Sequence, residues 1–168
     1  FLVIYYLTGI LLFLTGCFFI SSRFKNFGLV DIGWGLGYVL IVLLSFKLNP
    51  DLSGTEYLLG TCVFLWGVRL SAFLFIRNFN KPEDFRYLKM RESWGESANL
   101  HAFFKIFLFQ GLLIFIIGSP IILKLNSPPS QLGWFQIVGF ILWGFGFFWE
   151  GWADNEKMQF KKEPLNLD

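Results

Sequence analysis

Apolar residues in this chain gather into five long runs, at about residues 1–20, 28–46, 57–76, 103–123 and 133–152, with one long polar connection at 77–97. Each run holds about 19 to 21 residues. At a rise of 1.5 Å per residue that length crosses a hydrocarbon layer roughly 30 Å thick. Backbone groups cannot stay unpaired in lipid, and the runs are too long and too uniformly apolar for barrel strands, so helices are the expected form. The pattern predicts an all-α polytopic membrane bundle: one transmembrane domain over 1–168, with about five spans.

Within the connection at 77–97, Lys81, Pro82, Glu83 and Asp84 read as a helix start, with proline and acids in the first turn. An interfacial amphipathic helix is expected from there to about Gly95. Phe85, Leu88 and Trp94 are expected towards lipid, with Arg86, Lys89 and Arg91 towards headgroups or a ligand. The connections around Asn49 and Pro50, and from Ser127 to Ser130, read as ordinary turns without chemistry.

Charge then orients the bundle. Ten lysines and arginines fall in the connections after the first and third runs and in the tail after the fifth. Only Lys47 and Lys124 lie in the connections at the opposite face. That asymmetry predicts a cytoplasmic tail and an N-terminus outside. Composition agrees with the membrane reading: 55% of residues are hydrophobic and 15% charged, against about 45–50% and about 25% in globular chains. The net charge of +2 is too small for a nucleic-acid footprint. Cys17 and Cys62 sit inside apolar runs with no Cys/His cluster, which argues against a disulfide or a zinc site. The first run lacks the basic flank and small-residue cleavage site of a signal peptide.

Topology gives each polar residue inside a run a depth. Asp31, Arg69, Gln110, Glu150 and Asp154 all fall towards the basic face, and the opposite halves read as apolar throughout. Glu150, Asp154, Lys157 and Lys161 recur at intervals of four, three and four, so a helix aligns them on one face. Asp31 and Glu150 are either interfacial carboxylates or part of a site. Arg69 snorkels, pairs with Asp31, or meets a ligand. Asp31, Trp34 and Tyr38 share a helix face and could polarise a carbonyl, or the two aromatics could simply pack. The glycines of GWGLG (33–37) lack nucleotide-loop spacing and point to close helix packing. His101, at the start of the fourth run, is more often structural than catalytic in such a place.

The order VDIGWGLG (30–37), WGVRL (66–70), EDFRYLKMRESWG (83–95), FQG (109–111) and FFWEGWADNEKMQFKKEP (147–164) resembles bacterial membrane proteins of the steroid 5-alpha-reductase-like family, in the branch related to 3-oxo-5-alpha-steroid 4-dehydrogenases. The resemblance covers almost the whole chain. It implies a bacterial inner-membrane protein with about seven spans, continuing past residue 168 into a motif that completes the cofactor pocket. It implies NADPH-dependent reduction of a carbon–carbon double bond conjugated to a ketone, in a membrane lipid or other lipophilic substrate.

By that resemblance Arg69, Glu150, Asp154 and Lys161 would contact NADPH, and Asp31 would polarise the ketone. The family's Gln-Glu pair in the second span is replaced in its neighbourhood by Val30 and Asp31. Its substrate-side tyrosine in the third span corresponds to Trp66, leaving Tyr38 as the nearby phenol and Trp34 and Trp66 as substrate-side aromatics. The alternatives are a membrane methyltransferase using S-adenosylmethionine and a non-enzymatic lipid-binding membrane protein.

Overall fold

The computed structural model describes residues 2–78 and 81–160. Those residues form α1 (Leu2–Arg23), α2 (Leu29–Leu48), α3 (Gly54–Asn78) and α4 (Phe85–Trp94). A short 3-10 turn (Gly95–Ser97) leads into α5 (Ala98–Ala102), a π-helical stretch (Phe103–Leu108), α6 (Phe109–Leu125) and α7 (Trp134–Phe160), with no strand among them. The all-α membrane-bundle expectation holds. Three of the segments long and apolar enough to cross a membrane are α1, α2 and α3, and the fourth lies within Phe85–Leu125.

The fifth expected span is helical as α7, yet it does not qualify on the combined criterion of length and apolarity. Its 27 residues reach about 40 Å. However, tryptophan and glycine replace much of the aliphatic content of the other spans, and Glu150 and Asp154 interrupt it. None of its residues is buried.

At the centre, α2 packs on α1, α3 and α6. The core joins Tyr6, Ile10 and Leu14 of α1 to Tyr38 and Ile41 of α2 and to Ile114 and Ile122 of α6. Glycine makes the α2–α3 crossing possible. A β-carbon on Gly35 would lie 2.2 Å from the backbone oxygen of Gly67, and one on Gly67 would lie 2.6 Å from that of Gly35. The Ser71 hydroxyl adds a bond to the Ile32 carbonyl at 2.8 Å. In α6, Pro120 removes the donor that would reach the Ile116 carbonyl. The Ser119 hydroxyl bonds that oxygen instead, at 2.8 Å, so the helix continues.

The end of the bundle opposite α4 is not apolar throughout, contrary to expectation. Glu56, in the first turn of α3, is fully buried. It accepts from Lys124 at 2.6 Å, from the hydroxyl and backbone nitrogen of Ser130, and from the hydroxyl and backbone nitrogen of Ser53. One carboxylate thus ties the α2–α3 connection to α6 and to the α6–α7 connection. Beside it the buried Tyr6 phenol bonds Ser45 and Asn126, each at 2.8 Å. The expected span began one residue after Glu56, which left this acid in a turn.

Glu56→Ala strands the Lys124 ammonium and both serines. The expected cost sits at the lower end of about 3–5 kcal/mol, because the Lys124 side chain is 36% exposed and can rehydrate. Thermal unfolding in detergent checks this, and an unchanged midpoint would contradict it.

Candidate functional site

Trp66 and Arg69 are three residues apart on α3, and Glu150 and Asp154 are four apart on α7. Each pair therefore shares a face of its helix, and the two faces meet. The Arg69 guanidinium is ion-paired through Nη2 to Glu150 and through Nη1 to Asp154 at 2.8 Å. Trp66 Nε1 donates to the other Glu150 oxygen at 3.2 Å. The Phe147 ring, one turn before Glu150, lies 5.7 Å from the guanidinium carbon. Arg69 Nε is buried without an acceptor. On the far side of Trp66, the buried Tyr38 ring packs edge-on at 5.3 Å. A continuous array runs from Tyr38 on α2 through Trp66 and Arg69 on α3 to Glu150 and Asp154 on α7.

The other expected site residues lie apart from this array. Asp31 accepts the Tyr87 phenol at 2.8 Å, with Arg86 3.9 Å away, and the structure offers no Asp31–Arg69 ion pair. Trp34 donates to Gln110 on α6 at 2.8 Å. Although Asp31, Trp34 and Tyr38 fall on one face of α2, they engage α4, α6 and α3 in turn. Lys161 lies outside the described residues. His101 bonds the Ser97 carbonyl at 3.0 Å and stacks on Trp94, a structural setting.

The interfacial helix differs from expectation in its facing. It starts one turn later, at Phe85, with Asp84 as its cap, and its inward face carries Tyr87 and Arg91. Glu83 is almost fully buried and accepts from Arg91 at 3.0 and 2.9 Å and from the Phe27 backbone nitrogen. The Arg91 guanidinium sits 3.8 Å over the Phe27 ring. Trp94 packs against the core cluster of Phe27, Val30 and Tyr87 instead of facing outward. Glu83, Tyr87 and Arg91 repeat at intervals of four, which marks one helix face; that spacing is the signal that could have found this clamp.

Asp84 accepts from the Arg86 backbone nitrogen at 3.0 Å and from its guanidinium at 2.9 and 3.1 Å. Those bonds hold its carboxyl below the usual carboxylate range. A lowered carboxylate pKa means the contribution is complete above the ordinary value and is lost only as pH falls through the lowered one. Asp84→Ala is therefore expected to loosen α4 by about 1 kcal/mol at neutral pH, with the difference vanishing in strong acid. Amide exchange over residues 85–94 reads this out, and a variant indistinguishable from wild type at pH 7 would refute it.

Two adjoining clefts of about 440 and 420 Å³ lie around the α1–α2 connection and the end of α3, only the second reaching α4, and neither is lined by Arg69, Glu150 or Asp154. In comparison with known proteins, residues 17–168 match a family described as a protein of unknown function, DUF1295. No curated protein and no solved structure matches the chain.

Proposed function

Because the chain belongs to the DUF1295 family, a steroid 5-alpha-reductase-like family, over residues 17–168, we propose that it is an NADPH-dependent membrane reductase of an enone carbon–carbon double bond. The observation that carries this reading is the unbroken array from Tyr38 to Asp154. It sets a phenol, an indole and a charged cluster in successive contact across three helices. The basic connections that follow α3 and α7 support placing the charged part of the array towards the cytoplasmic side, where a soluble dinucleotide can reach it.

The donor set fits one part of NADPH better than another. Two carboxylates around one guanidinium leave a local negative charge, which repels phosphates. The same carboxylates accept from ribose hydroxyls or a carboxamide, and the buried Arg69 Nε lacks an acceptor that a carboxamide oxygen would provide. Arg69, Glu150 and Asp154 would thus hold the nicotinamide riboside, while cations elsewhere, such as Lys157 and Lys161, would meet the phosphates. When bound, the cofactor supplies a hydride.

The residues of this chain then orient the two partners. Trp66 stands between the charged cluster and the Tyr38 ring. The Tyr38 phenol donates to the substrate ketone, stabilising the developing oxyanion in a water-poor setting. The Asp31 carboxylate, already engaged by Tyr87 and Arg86, is assigned to holding α4 over the bundle.

Tyr38→Phe separates these roles. Removing one oxyanion donor is expected to lower kcat for a lipophilic enone by at least about 100-fold while leaving NADPH affinity unchanged. A variant with wild-type kcat would remove Tyr38 from the mechanism.

A further inference from the structure

The two clefts around the α1–α2 connection and the end of α3 are one amphiphilic groove. The first is walled by Ile20, Phe24, Leu29, Ile32 and Phe75 and is almost entirely apolar. The second is about half polar and is bounded by Asp31, Arg77, Lys81, Glu83, Asp84 and Arg86, among others. They share Asn26, Leu29, Asn78 and Lys81, so the apolar channel between α1, α2 and α3 opens directly into the charged one.

Charge decides what the polar half accepts. Each of its acids is already engaged: Glu83 by Arg91 and the Phe27 nitrogen, Asp84 by Arg86, and Asp31 by the Tyr87 phenol. Two cations form no ion pair, although Arg77 attracts Asp31 and Asp84 through space. Among the described residues, Arg77 and Lys81 have no acid within ion-pairing distance. Arg77 only donates weakly to Asn78 at 3.3 Å and leans on the Phe73 ring. Arg77 is also the first charge after the apolar stretch that ends α3, the depth at which a spanning helix reaches lipid phosphates.

From this juxtaposition we propose that the groove is a binding site for an anionic phospholipid of the surrounding bilayer. Its phosphate is held by Arg77 and Lys81, and one acyl chain lies along Leu29, Ile32 and Phe75. The site is separate from the Arg69 array and does not depend on the proposed reductase activity. A zwitterionic lipid would also bring its positive group against Asp31 and Asp84, but those acids have partners already, so the two unpaired cations favour net negative charge.

The full chain, delipidated in detergent and titrated with phosphatidylglycerol or phosphatidylcholine under native mass spectrometry, tests the proposal. Wild type is expected to retain phosphatidylglycerol with about fivefold preference or more. Arg77→Gln/Lys81→Gln is expected to bring the two lipids to parity. Lys47→Gln/Lys89→Gln, which removes the same net charge from exposed positions outside the groove, should keep the preference. Equal retention of both lipids by wild type, or loss of preference in both double variants alike, would overturn the site.

Discussion

Gly35→Ala is expected to break the α2–α3 crossing and give the largest loss of stability of any single methyl added to this bundle. The new carbon would stand 2.2 Å from the Gly67 carbonyl oxygen and 2.4 Å from the Ser71 hydroxyl. Backbone cannot swing aside as a side-chain tip can, so the helices must separate. Overpacking against movable side chains costs about 1–3 kcal/mol, and a backbone obstacle places this substitution above that range. Separation also draws Trp66 away from Tyr38 and loses the Ser71 bond to Ile32. Gly16→Ala, whose added carbon meets nothing within 4 Å, should leave the unfolding midpoint near wild type. Equal midpoints for the two variants would show that the helices cross more loosely than described.

The second large effect is expected at Arg69. Arg69→Gln leaves Glu150 and Asp154 facing each other one turn apart with no countercharge, on a helix that has no buried residue of its own. The hold of α7 on α3 rests heavily on this one side chain, through two ion pairs. Protease sensitivity within α7 should rise, and NADPH affinity should fall at least about tenfold, equivalent to about 1.4 kcal/mol. Arg69→Lys retains the charge but cannot reach both acids in a fork, so it should recover α7 protection only in part. An Arg69→Gln variant with wild-type proteolysis and affinity would mean that neither the contact nor the site depends on the guanidinium.

Much of this arrangement was legible in the residues. The glycines of GWGLG (33–37) pointed to close helix packing, and Gly35 is where α2 touches the backbone of α3, at Gly67, a partner not named from the sequence. Counting residues from the span ends placed Arg69, Glu150 and Asp154 at one depth. Depth does not fix direction around a helix, however, because each residue turns the face by about 100°. From sequence, Arg69 was therefore left to snorkel, pair with Asp31 or meet a ligand, and its pairing with the acids of α7 emerged only from the packing.

The Asp31, Trp34 and Tyr38 face shows the converse limit. A shared face of one helix still meets different neighbours along its length: α4 near Asp31, α6 near Trp34 and α3 near Tyr38. Glu56 was missed for a plainer reason. A span boundary one residue too late turned a fully buried carboxylate into part of a turn. The inward face of α4 was misread because Arg91 was treated as a headgroup cation, whereas a nearly buried Glu83 claims it.

The central claim is that the α3–α7 cluster receives a nicotinamide dinucleotide. It is tested most directly by titrating the purified full-length protein with NADPH and following tryptophan emission, since Trp66 is bonded to Glu150 and reports on the cluster itself. The account predicts saturable quenching in wild type that Trp66→Phe largely removes and that Asp154→Ala shifts to at least about tenfold higher NADPH concentration. Absence of saturable quenching in wild type, or an unchanged curve for Asp154→Ala, would contradict it.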